Sequence, residues 1–145
     1  MLHYGRVLCA VDFSKESGDV VARAHMIAKR SDAAFCLVHV LEHSPMAYGC
    51  AEAPMTLNND LDEALREHAK QSLTKMVEEM GDDKISWHLV EGSIKHGVMD
   101  LAKELTCDLI VVGCHGHHGM GMLFGGNACG ILHGAHCDVL AVHVN

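Results

Sequence analysis

Basic residues are scarce in this chain: 11 lysines and arginines stand against 19 acidic side chains, for a formal net charge of −8 with histidine neutral. No lysine or arginine cluster interrupts that balance, which argues against a nucleic-acid partner. Long apolar runs are missing as well. None approaches the ~20 residues of a membrane span, and the opening MLHYGRVLCAVDF carries no charged region followed by a long apolar one. A soluble, cytoplasmic protein is expected. Internal repeats and low-complexity tracts are absent, and the two prolines, Pro45 and Pro54, both fall within residues 43–59. No C-x-x-C pair of the kind that holds structural zinc occurs.

What is present fits one domain. The 145 residues, 49% of them apolar, suffice for one sizeable core, so residues 1–145 read as a single fold unit. Seven cysteines are an odd number, and Cys9 and Cys36 sit inside apolar strand patterns, which reads as reduced core thiols rather than a disulfide framework.

The pattern of apolar residues alternates between two periods along the chain. Residues 6–11, RVLCAV, are too brief for a helix and suit a buried strand ending at Asp12. Turn and cap residues 12–17 then precede Val20, Val21, Ala24, Ile27 and Ala28 at helical spacing. A second strand is expected at 34–41, and strand, helix and strand in that order form the crossover unit of a parallel sheet. Residues 43–59 exceed the usual connection length and suit either a flap over a site or plain disorder. From Asn59 or Asp60, the series Leu61, Leu65, His68 or Ala69, Leu73, Met76 or Val77, and Met80 predicts an amphipathic helix ending at Gly81. Residues 85–90 read as an edge strand with one partly wet face, and Ser93 as the cap of a helix bearing Ile94, Val98, Leu101, Ala102 and Leu105. Residues 108–113, DLIVVG, are apolar enough for the middle of the sheet. A weak helix over 127–135 and a strand over 139–144 complete the chain. Five strands alternating with four helices make a doubly wound α/β fold, whose ligands bind at the carboxyl ends of the strands where the winding reverses.

Residues 110–127, IVVGCHGHHGMGMLFGGN, have the shape of a ligand loop: an apolar strand breaks into glycines at 113, 116, 119, 121, 125 and 126. Such density suits a backbone that turns tightly or is approached closely. Main-chain N–H groups in a glycine loop entering a helix make an anion site, for which phosphate is the natural guest. Two familiar motifs fail. The run from Gly121 has Walker-like glycine spacing but places Asn127 where the lysine belongs and Ala128 where a hydroxyl would bind magnesium. No G-x-G-x-x-G follows the first strand. A glycine-rich turn that merely crosses the sheet end would leave the same residues.

The motifs RVLCAVDFS, LVHVLEH and VVGCHGHHGMGMLFGGNACGILHGAHCDVLAV resemble the universal stress protein family from end to end. Gly113, Gly116 and Gly126 match its glycine, two residues, glycine, nine residues, glycine pattern; Asn127 departs from the Ser or Thr that follows. The resemblance implies a five-stranded parallel sheet of order 3-2-1-4-5 with helices on both faces, a homodimer formed through the last strand and, in one branch of the family, bound ATP or ADP, with or without Mg2+. Carried over by position, it implies Ala10, Asp12 and Val40 beside the adenine, Val112 and Gly113 along the ribose, and Gly116, Gly126, Asn127 and Ala128 around the phosphates. A carboxylate can accept from the adenine amino group, and backbone amides can hold phosphate without lysine.

Other constellations carry less. His117 and His118 could meet phosphate when protonated or simply be solvated; Cys129, His133, His136 and Cys137 could hold metal or only pack; Cys114 could be a redox thiol or an inert one. Gly126, Gly130 and Gly134 line one helix face and require some close backbone approach, a dimer contact being one option. The functional readings are a nucleotide-binding regulator of the stress response, a slow ATPase or phosphotransferase, and a stress dimer without nucleotide. No carboxylate or lysine lies in residues 113–127, which favours binding over turnover.

Overall fold

The computed structural model describes residues 3–42, 55–115 and 126–144. Its frame is one sheet of five strands, β1 (Arg6–Ala10), β2 (Ala34–Leu41), β3 (Ser86–Glu91), β4 (Leu109–His115) and β5 (Asp138–Val144), ordered β3-β2-β1-β4-β5. Every neighbouring pair is parallel. Between the strands run α1 (Ser17–Ser31), α2 (Met55–Met80), α3 (Ile94–Glu104) and α4 (Gly126–Gly134).

Strand alternation divides the core. Val7, Cys9 and Val11 face one side with Val20, Val21 and Ala24 of α1 and Leu73 of α2. Leu8 and Ala10 face the other with Ile94, Val98 and Leu101 of α3 and Ile131 of α4. β1 is therefore covered on both faces, as its unbroken apolar sequence requires. Burying one such side chain, Leu73 for example, contributes about 1.5–3 kcal/mol. Three helices end on a left-handed residue: Asp32 (φ +54°) after α1, Gly81 (φ +66°) after α2 and Thr106 (φ +54°) after α3. After α1 and α3 the following N–H returns to the last turn, Ala33 to the Ala28 carbonyl and Cys107 to the Ala102 carbonyl, both at 2.8 Å. Ser93 caps α3, accepting from the His96 N–H as its sequence position predicts.

Several boundaries differ from expectation. α2 begins at Met55 rather than at Asn59 or Asp60, because nothing in MTLNN interrupts a helix. The upper part of its expected apolar stripe is not covered: Leu61 and Leu65 are about half exposed. The remainder of the irregular stretch, 43–54, lies outside the described residues. β4 continues beyond Gly113 to His115 because β5 extends the ladder, pairing Gly113 with Val142 and His115 with Val144. α4 starts at Gly126, so Asn127 lies in its first turn instead of preceding it as a cap. β3 occupies a sheet edge, as its half-wet pattern predicts, and β5 occupies the other.

Candidate functional site

The winding reverses at β1, which has β2 on one side and β4 on the other. The crevice of such a sheet opens where these strands end. Asp12 stands there, two residues beyond β1, and its Oδ1 accepts from the Ser14 N–H at 3.0 Å and from the Ser17 hydroxyl at 2.8 Å. Ser17 is the buried first residue of α1, so the carboxylate is tied to the start of that helix. Burial pushes the Asp12 pKa upward, but hydrogen bonds from the Ser14 side chain and N–H, from Ser17 and from its own N–H more than offset this and hold it below the usual carboxylate range. Asp12 is thus an anion at neutral pH.

Around it lie two adjoining clefts. Ala10, Asp12, Val40, Ile94 and Val98 line one; Ala10, Asp12, Ser14, Ser17, Val20 and Gly113 line the other. Four sequence-predicted positions, Ala10, Asp12, Val40 and Gly113, therefore meet at one sheet end. Val112 is fully buried beneath them in the core shared with α3 and α4, and Ala128 is buried in that same core. Gly126 and Asn127 belong to the first turn of α4. Gly116, with His117 and His118, lies outside the described residues. Gly113 has a packing reason to be glycine: a Cβ there would stand 3.1 Å from Val20 Cγ2.

Two contributors escape a motif reading. Gly97 lets α3 close on the sheet, since a Cβ would meet Val40 Cγ2 and Val90 Cγ1 at 3.2 Å. That approach brings Ile94 and Val98 to the crevice. The second is His39, a polar residue only 4% exposed within β2. Its Nδ1 lies 2.7 Å from the Val11 carbonyl, an acceptor, so Nδ1 carries the proton. Burial lowers the His39 pKa, only partly opposed by the Val11 bond and the Asp12 charge, and keeps the ring neutral. The one signal in the sequence was a lone imidazole in an otherwise apolar run, AFCLVHVL.

A larger concavity lies elsewhere, a groove of about 510 Å³ between α1 and α2 lined by Val21, Met26, Met76 and Met80. It lies away from the switch point, and the chemistry favours the smaller strand-end crevice. No group of three or more His, Cys, Asp or Glu suited to a metal occurs among the described residues. Among those residues the cysteines form no disulfide: Cys9, Cys36 and Cys107 are buried, and burial pushes the Cys9 thiol up to about 12. No helix among them is long and apolar enough to cross a membrane.

Fold and crevice define a doubly wound α/β protein with a switch-point site. Within that class the chain belongs to the universal stress protein family, whose model matches residues 3–143. It is 43% identical over 141 residues to universal stress protein A homolog 1 of Coxiella burnetii, covering 97% of each chain. Among solved structures, the universal stress protein UspA from Lactobacillus plantarum superposes with a TM-score of 0.79 at 22% identity, over 98% of this chain and 99% of that one. A universal stress protein in complex with cAMP has a TM-score of 0.63 at 24% identity, over 98% of both chains. These last two likenesses bear on the fold.

Proposed function

We propose that the chain binds an adenine nucleotide, ATP or ADP, in the strand-end crevice and acts as a cytoplasmic, homodimeric regulator in the stress response. One observation carries the reading: an ionised, hydrogen-bonded Asp12 faces apolar walls from Ala10, Val40, Ile94 and Val98 at the point where the sheet reverses. That pairing of one acceptor with apolar surface suits a purine carrying an exocyclic amine. Gly113 offers backbone without a side chain to the ribose. The first turn of α4, Gly126 to Ala128, offers the N–H groups and the positive end of a nine-residue helix to phosphate. Family membership supports the reading, as does a fold neighbour that holds a cyclic adenine nucleotide.

The chain binds rather than turns over. Residues 113–127 contain no lysine to grip the phosphates and no carboxylate to orient water. Magnesium, where present, would be held mainly by the nucleotide, because Ala128 supplies no hydroxyl. Dimerisation uses β5: this edge strand has no second neighbour in the described sheet, and Leu140 on it is 37% exposed. Mass detection of nucleotide released by denaturing freshly purified protein tests binding. ATP or ADP at about one per chain is expected, and Asp12→Ala protein is expected to carry none. Equal nucleotide content in both proteins would remove Asp12 from the site.

A further inference from the structure

His39 is not needed to fill a cavity, since any apolar side chain of its size would do so, and it carries a buried polar group into the core. Its side-chain hydrogen bond and its ring contact both go to the corner that follows β1. β2 holds that corner in three ways: the Val11 N–H donates to the Val38 carbonyl at 2.8 Å, His39 Nδ1 donates to the Val11 carbonyl at 2.7 Å, and the His39 ring packs on Phe13 with centroids 4.2 Å apart. Phe13 sits at φ +61°, a left-handed conformation rare for an aromatic residue. Such conformations persist where the surroundings over-determine them, and they cluster at ligand sites. Between the two residues that His39 touches lies Asp12.

We infer that His39 is a positioning residue of the nucleotide crevice: by clamping the Val11 carbonyl and the Phe13 ring, it fixes the left-handed corner that presents the Asp12 carboxylate. Removing the donor orphans a buried carbonyl and lets Phe13 relax, which turns Asp12 away from the walls formed by Ala10 and Val40. The inference rests on the nucleotide reading, but the clamp itself can be tested without ligand.

The test uses the full chain, unmodified and as His39→Asn and His39→Leu. Asparagine places an amide N–H where Nδ1 stands, whereas leucine keeps bulk and loses the donor. In calorimetric titrations with ATP, leucine is expected to weaken binding about five- to tenfold and asparagine to restore most of it, as one buried hydrogen bond implies. Leucine binding like wild type, or asparagine as weak as leucine with both variants folded, would overturn the clamp. Nitrogen-resolved imidazole spectra of the unmodified protein decide the point if the leucine variant does not fold: a proton on Nδ1 and a bare Nε2 are expected, and the opposite tautomer refutes the assignment. A wild-type chain that binds no ATP would refute the nucleotide reading instead. The Asp12 carboxyl carbon resonance then tests the clamp, being expected to move in the leucine variant and to return in the asparagine one; an unmoved resonance in the leucine variant overturns it.

Discussion

At the scale of the residue, two buried or half-buried groups both cost the protein stability in acid, over different pH ranges. The folded pKa of Asp12 is lowered, so its contribution to stability is complete above the unfolded carboxylate range and is lost as pH falls through the folded value. Asp12→Asn is expected to flatten the acid limb of a stability-against-pH curve measured by denaturant titration; a limb unchanged from wild type would contradict the hydrogen bonds from Ser14 and Ser17. His39 also has a lowered folded pKa. Below about pH 6.5 the unfolded chain takes up a proton that the folded ring refuses, so stability declines as pH falls through that range. His39→Asn is expected to remove this slope between about pH 6.5 and 5, leaving the Asp12 limb intact. Asp12 was legible in the sequence because a carboxylate directly after a buried strand has few purposes. His39 was not, because a histidine in an apolar strand acquires meaning only from the carbonyl it reaches, and Val11 is 28 residues away.

Elements were legible where periodicity was strong and backbone conformation ordinary. β1, β2, α1 and α3 fall close to their expected places because a run of four to eight apolar residues and a capped 3.6-residue pattern leave few alternatives. β4 runs two residues past Gly113, where the sequence pattern marks the onset of a loop. Here glycine relieves a contact with Val20 inside a strand. On α4, Gly130 and Gly134 have a cause within the chain. A Cβ at Gly130 would lie 2.8 Å from Lys95 Cδ, and one at Gly134 would lie 2.9 Å from Met99 Sδ. Gly130 and Gly134 let α3 and α4 pack closely, which offsets the about 1 kcal/mol each costs in helix propensity. Gly130→Val is therefore expected to destabilise the protein by about 1–3 kcal/mol through overpacking. In Gly130→Ala the lysine stem is the obstacle, so adding Lys95→Ala is expected to recover stability relative to the single variant. Thermal unfolding of the two singles and the double measures that coupling; strict additivity would contradict the contact.

For the whole molecule, the order β3-β2-β1-β4-β5 does two things at once. It places β1 centrally, so that Asp12 and Gly113 share a crevice although about a hundred residues separate them, and it leaves β5 exposed along one edge. The topology followed from the family resemblance, whereas the local patterns alone supported only a parallel sheet of five strands. The edge makes a further expectation testable: Leu140→Arg puts a charge on β5 and is expected to convert the proposed dimer to monomer in sedimentation analysis, with nucleotide binding retained. In the proposed site, Asn127 stands in the first turn of α4 in place of the family's Ser or Thr. Asn127→Ser is expected to tighten ATP binding by restoring a hydroxyl acceptor and donor, while leaving adenosine binding unchanged.

The crevice as an adenine nucleotide site is tested most directly by calorimetric titration of the full chain with ATP, in parallel with Asp12→Ala. One saturable site per chain in wild type and its loss in the variant are expected. A folded wild-type protein that takes up neither ATP nor ADP would contradict the account.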